Sequence, residues 1–133
     1  MNKNLNTVRA IYEAFGRGDI PAILAKLDEN VEWEYGIATR EVPWLLPRRG
    51  VKGAGEFFES LAAIEFHSFV PKAILAGENV VVALVDLSFT VKKTGKKVVE
   101  EDETHVWRFN EAGKVVRFRH CADTHQHVQA YRG

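Results

Sequence analysis

No sign of charge dominates this chain. Its 18 Lys and Arg balance 18 Asp and Glu, and the basic residues form no long run. Nucleic acid is therefore not expected as a partner, because phosphate binding needs a concentrated positive field. No apolar run is long enough to span a bilayer, so no membrane partner is expected. Residues 1–10 hold no apolar signal core, and the single cysteine, Cys121, cannot close an intrachain disulfide. These absences lead us to expect a cytoplasmic protein. Repeats, low-complexity segments and linkers are lacking too. What is present is 46% hydrophobic residues in 133, enough for one globular domain over 1–133.

Residues 4–16 carry Leu5, Val8, Ile11, Tyr12 and Phe15 at helical spacing, and Gly16 and Gly18 end the pattern. Asp19 can cap a second short helix with Pro21 in its first turn. Residues 31–35 read as a strand, with Val31, Trp33 and Tyr35 on one face and Glu32 and Glu34 on the other. The long connection over 36–52 holds an apolar centre at Trp44, Leu45 and Leu46, which suits a lid or an interface. A third helix starts near Ala54. Strand patterns then cover 66–76, 80–92, 97–109 and 114–122, split by turn signals. Residues 124–131 suit a closing helix or a tail. Helices first and antiparallel strands later imply an α+β fold, with helices on one face of a curved sheet.

The strand pair within residues 98–123 holds His105 and His120. Centring one hairpin on Thr94-Gly95 sets Leu84 opposite His105 and Asp86 opposite Glu103. Centring the next on residues 110–113 sets Glu103 opposite His120. Alternation then gathers Leu84, Asp86, Glu103, His105, Trp107, Phe118 and His120 on one face, and a slip of one residue would break it. The other face, Val81 to Val91 in steps of two, is apolar. It suggests a homodimer through the outer face of the sheet. Acid–base groups among aromatic walls suit catalysis and equally suit a buried structural network. His125 and His127, two apart, would lie on nearly opposite sides of a helix. No metal site is expected from them, and no cofactor motif occurs.

The segments FGRGD (15–19), NVEW (30–33), RGVKGAGEFF (49–58) and VWRFNEAGKV (106–115) together resemble the SnoaL-like proteins. These belong with nuclear transport factor two, ketosteroid isomerase, limonene epoxide hydrolase and scytalone dehydratase. The resemblance spans nearly the whole chain. It implies a cone-shaped α+β barrel with a deep apolar pocket, commonly dimeric. Position by position, the isomerase's basic aspartate matches Trp33. Its oxyanion tyrosine falls beside Tyr12, and its neutral oxyanion aspartate falls on His105. The hydrolase and cyclase aspartate of the last strand matches His120. The hydrolase's middle-strand aspartate matches Asp86, and its arginine matches Leu84. No studied catalytic set is present in full.

The resulting expectation is a cofactor-free enzyme of isomerase, cyclase, dehydratase or hydrolase type. It would act on a small apolar, cyclic or polycyclic, oxygenated compound. His120 would be the acid or base, with Asp86 or Glu103 orienting it, and His105 would donate to a developing enolate. Tyr12, Trp33, Tyr35, Trp44, Leu84, Trp107 and Phe118 would line the pocket. The alternatives are a non-catalytic binding protein or a dimerisation module of the same fold.

Overall fold

The computed structural model of the chain describes residues 2–37 and 39–133. Helix α1 (Lys3–Arg17) begins at Asn2, whose side chain accepts from the Leu5 N–H. It ends at Gly18, left-handed with φ 72°, whose N–H reaches the carbonyls of Ala14 and Phe15. Helix α2 (Ile20–Leu24) is capped by Asp19. Strand β1 (Leu27–Trp33) follows, then a loop with a short 3₁₀ turn at Pro43–Leu45 and a two-residue strand, β2 (Arg48–Arg49). Helix α3 (Gly50–Ser60) leads into four strands: β3 (Ile64–Gly77), β4 (Val80–Val91), β5 (Lys97–Phe109) and β6 (Val115–Cys121). Helix α4 (Thr124–Arg132) closes the chain, so residues 124–131 are not an irregular tail.

The six strands form one curved, unclosed sheet in the order β2-β1-β6-β5-β4-β3. Among the described residues only the β1–β6 pair is parallel. Helix α1 packs on β3 and β4, α3 on β1, and α4 on β5. The α+β class and its cone-like form agree with the sequence reading.

Both hairpins pair two residues away from the expected register, which preserves the faces, and one further shift, of a single residue, decides the site. Close to the hairpin turn, Phe89 faces Val98 and Leu87 faces Glu100. Farther along, Val85 faces Glu103 and Ala83 faces His105. Strand β5 therefore carries one extra residue between Glu100 and Glu103. The bulge includes Asp102, whose φ is 62°. A bulge resets alternation, so Glu100 and Glu103 both point inward although they are three residues apart.

Two expectations change in consequence. Val81, Ala83, Val85, Leu87, Phe89 and Val91 are buried and form the inner wall, not an outer dimer face. Leu84 and Asp86, displaced by one residue from the expected pairing, lie on the opposite face of β4. Asp86 is tied to the bulge itself. Its Oδ1 accepts the Asp102 N–H at 3.0 Å, and Lys72 Nζ bridges Asp86 and Asp102 at 2.8 and 2.6 Å. These bonds hold the Asp86 carboxyl below its ordinary pKa, Lys72 acting first.

The bulge yields a stability prediction. Asp102→Val places a β-branched residue in the left-handed region, which costs roughly 1–2 kcal/mol. A urea denaturation midpoint should fall accordingly, with slope unchanged. An unchanged midpoint would show that the bulge does not depend on this backbone state.

Candidate functional site

An apolar cavity of about 80 Å³ lies between the helices and the inner face of the sheet. Helix α1 contributes Tyr12 and Phe15, α3 contributes Phe57 and Phe58, and the strands contribute Trp33, Trp107 and Phe118. The rings pack tightly. Trp33 and Trp107 each lie 4.3 Å from Phe118, centroid to centroid, and Trp33 lies 5.4 Å from Phe57. Such pairs add roughly 0.5–1.5 kcal/mol each beyond area burial and hold the wall rigid.

His120, near the end of β6, lines this cavity and is buried. Its partner is Glu34, which is fully buried. Glu34 follows the last residue of β1 with φ 62°, so alternation stops there and its side chain turns inward. Glu34 Oε1 accepts the His120 backbone N–H at 3.1 Å, and Oε2 meets His120 Nδ1 in a close ion pair. The Glu34 N–H in turn donates to the Phe118 carbonyl at 2.7 Å. Burial alone would lower the His120 pKa. The charge of Glu34, with its hydrogen bond to the ring, overcomes it and raises the value to about 9. His120 is thus an imidazolium at neutral pH, and Nε2 is its ring nitrogen without a partner among the described residues.

A second network starts one strand away, where His105 sits directly opposite His120 across the β5–β6 ladder. Trp107 Nε1–H donates to the Tyr12 hydroxyl at 3.1 Å, and that hydroxyl meets His105 Nδ1 at 2.7 Å. His105 Nε2 meets Glu103 Oε1 at 2.7 Å. Burial, aided by the charge on His120, pushes the His105 pKa down to about 3, so this imidazole is neutral. Burial also raises Glu103 to about 8, with Glu100 adding to it. Glu100 moves the other way, to about 2. Burial pushes it up, but hydrogen bonds from His127, Glu103 and the Asp123 N–H outweigh that.

These states fit one direction of donation. The Tyr12 O–H donates to Nδ1, Nε2–H donates to Glu103, and the protonated Glu103 donates to Glu100. From the far side, Trp44 Nε1–H donates to His127 Nδ1 at 2.9 Å, and His127 Nε2 meets Glu100 Oε2 at 2.7 Å. Every member has a partner, as buried polar networks require. His105 keeps no ring nitrogen for a ligand, which leaves His120 as the more available histidine.

The structure brings together Tyr12, Trp33, Trp44, Glu103, His105, Trp107, Phe118 and His120 around one cavity. It leaves out Asp86 and Leu84, for the reason given by the bulge. It also leaves out Tyr35, whose ring stacks under the Arg117 guanidinium at 3.8 Å because the turn at Glu34 reverses the expected faces. Three buried groups escaped the sequence reading: Glu34, Glu100 and His127. Glu34 and Glu100 depend on backbone irregularities that alternation does not reveal. His127 was legible only as one of two histidines on opposite helix sides, and the structure indeed buries it while exposing His125. His67 is exposed and pairs with Thr90 Oγ1 at 2.7 Å.

Glu100, Glu103 and His127 have ligand-type atoms within 4.8 Å of one another. Trp44 argues against reading them as a metal set. Its N–H occupies Nδ1 of His127 and so fixes the ring proton on Nε2, where it bonds Glu100.

The SnoaL-like domain pattern matches residues 8–118, and the chain belongs to that family. Among solved structures it is similar to an NTF2-like protein of unknown function from Burkholderia pseudomallei. That pair is 26% identical over 100% of both chains, with TM-score 0.80. An NTF2-like protein from Burkholderia thailandensis is likewise 26% identical over 98% of both, with TM-score 0.82. Rv0760c from Mycobacterium tuberculosis, solved in complex with estradiol-17beta-hemisuccinate, shares the fold at 16% identity. That match covers 95% of this chain and 98% of the other, with TM-score 0.69. No protein of curated function matches. No helix among the described residues is long and apolar enough to cross a membrane.

Proposed function

We propose that this SnoaL-like protein is a cytoplasmic, cofactor-independent enzyme. It transfers protons on a small, apolar, cyclic oxygenated compound, in a reaction of isomerase, cyclase, dehydratase or hydrolase type. The observation that carries this reading is the His120–Glu34 ion pair at the wall of an otherwise aromatic cavity. A buried imidazolium there is a general acid toward a ligand oxygen, and its conjugate base takes the proton back. Glu34 positions His120 and holds its charge. Tyr12, His105 and Glu103 shape the adjoining wall. The relative that holds an estradiol ester supports small-molecule binding in this fold, not a particular reaction.

Turnover across a panel of ketones, lactones and epoxides tests the proposal. His120→Ala should lose on the order of 10²–10⁴-fold in kcat. Turnover unchanged in His120→Ala would refute the assignment. The alternative, a binding protein without catalysis, draws support from Trp33 standing where the related isomerase keeps its base. It requires retained ligand and no conversion of any panel member.

A homodimer through the outer sheet face remains part of the proposal, now on different residues. Exposed Leu75 lies across from Val82, and Val82 lies across from Val106. Light scattering should give twice the monomer mass, and Val82→Glu should return it to the monomer.

A further inference from the structure

The outer face of the sheet gathers charge that the acid–base cavity does not use. One register row runs inward from the β2 edge. Arg49 lies across from Glu32, Glu32 from Arg117, and Arg117 from Arg108. Arg119 stands two residues farther along β6 and shares the face of Arg117, because Phe118 and His120 between and beyond them line the cavity on the other side. Tyr35, Gly36 and Arg48 join Arg49 and Arg117 in lining a surface groove beside this row.

Acid is scarce there. Among the described residues Glu32 is the one carboxylate lining the groove, and two arginines share it. Its Oε1 takes Arg49 Nη2 at 3.3 Å and its Oε2 takes Arg117 Nε at 2.8 Å. Arg108 and Arg119 have no side-chain hydrogen bond or ion pair among the described residues. Arg108 and Arg117 face each other across the ladder, an arrangement in which like charges repel. An anion laid over the row relieves that repulsion.

The guanidiniums are also held in place and open to solvent. Arg117 lies over the Tyr35 ring at 3.8 Å, and Arg119 over the same ring at 5.5 Å. Gly36, left-handed with φ 80°, admits Arg119 to this position. A Cβ at residue 36 would stand 2.9 Å from Arg119 Nη1. The Arg49 and Arg117 side chains are 74% and 44% exposed, and Arg108 is exposed too.

A guanidinium offers paired, coplanar N–H donors that fit two oxygens of a phosphate. Four of them on neighbouring strands suit more than one phosphate. The row is short, about 15 Å for three strand spacings, and Val80 ends it on β4. A nucleic-acid strand wants a longer track and an open aromatic platform, and the Tyr35 ring is already taken by two arginines. The apolar part of the outer face, at Leu75, Val82 and Val106, lies toward β3, so the arginines leave it free for the proposed dimer.

We propose that this groove is a second ligand site, which binds a pair of neighbouring phosphate groups through Arg49, Arg108, Arg117 and Arg119. The site is independent of the acid–base cavity, and its test reads binding and not turnover. The same chemistry occurs on a soluble diphosphate and on a phosphorylated lipid headgroup, and the two sources are separated below.

The probe is sodium pyrophosphate, titrated calorimetrically into the full chain at constant ionic strength. Expected is saturable binding of one anion per chain, at least tenfold tighter than orthophosphate. Arg117→Gln with Arg119→Gln should weaken it at least tenfold. Arg119→Lys, which keeps the charge and loses the planar fork, should give a smaller loss. Arg9→Gln, which removes the same charge from an exposed position on α1, should change it less than twofold. Vesicles of phosphatidylcholine doped with phosphatidylinositol bisphosphate form the second arm. Sedimentation with them that depends on the same arginines assigns the phosphates to a headgroup, and pyrophosphate binding without sedimentation assigns them to a soluble molecule. No saturable binding of pyrophosphate at millimolar concentration overturns the proposal. So does an equal loss in Arg9→Gln, or tighter binding of a single-stranded RNA oligonucleotide than of pyrophosphate.

Discussion

Glu34→Gln should destabilise the protein by roughly 3 kcal/mol at pH 7, a large effect for a change of similar size and shape. Glu34 lies fully buried against His120, with a second bond to the His120 backbone. Removing one member of a buried ion pair leaves the other charge in a medium that does not solvate it, which typically costs 3–5 kcal/mol. His120 has an escape, since an imidazole can release its proton. The loss is then bounded by the stabilisation that the raised pKa supplied. A shift from 6.5 to about 9 corresponds, at about 1.4 kcal/mol per unit, to roughly 3 kcal/mol. The difference between wild type and variant should therefore narrow above pH 9, where His120 is neutral in both. Urea denaturation at pH 7 and at pH 10 measures both values. Equal stability at pH 7 would show that Glu34 does not hold the charge on His120.

Wild-type stability itself should fall as pH rises from about 6.5 to 9. His120 has a folded pKa above its unfolded value, so its contribution is complete below pH 6.5 and is lost through pH 9. Glu103 acts in the same direction. Its carboxyl stays protonated in the fold to about pH 8, while the unfolded chain releases that proton near pH 4.5. Two groups on the acid side have the opposite sign. His105, lowered to about 3, and Glu100, lowered to about 2, stabilise the fold as pH rises toward 6.5 and 4.5 respectively. Between pH 4.5 and 6.5 the gain from His105 offsets the loss from Glu103, and the curve should be flat. Above 6.5 nothing among these four offsets the loss. Thermal midpoints across pH 4–10 should therefore show a plateau and a steep alkaline limb. His120→Gln should shorten that limb to the part set by Glu103. Stability still rising between pH 7 and 9 would contradict these assignments.

Much of the fold was legible because it rests on periodicity. Val8, Ile11 and Phe15 marked the first helix, and Gly18 ended it by the left-handed cap expected of glycine. The strands followed from runs such as Val80–Val91, whose burial alternates throughout. The site was legible only where alternation survives. His105, Trp107, Phe118 and His120 share the inner face as expected, because the offset between β5 and β6 is two residues and preserves parity. Asp86 and Leu84 were misplaced because the β5 bulge adds one residue, and parity does not survive that. Glu34 and Tyr35 exchanged faces because Glu34 takes a positive φ that nothing in its neighbours announces. Both of these irregularities are one-residue backbone events, and they turn Glu34 and Glu100 into the acid–base cluster.

The most direct measurement is a titration of the His120 imidazole by NMR on ring-labelled protein, assigned with His120→Gln. The account predicts a pKa near 9, well above the ordinary histidine value of 6.5 and falling in Glu34→Gln. A His120 that titrates at or below 6.5 would contradict it, because the cavity would then present a neutral imidazole and not a buried acid.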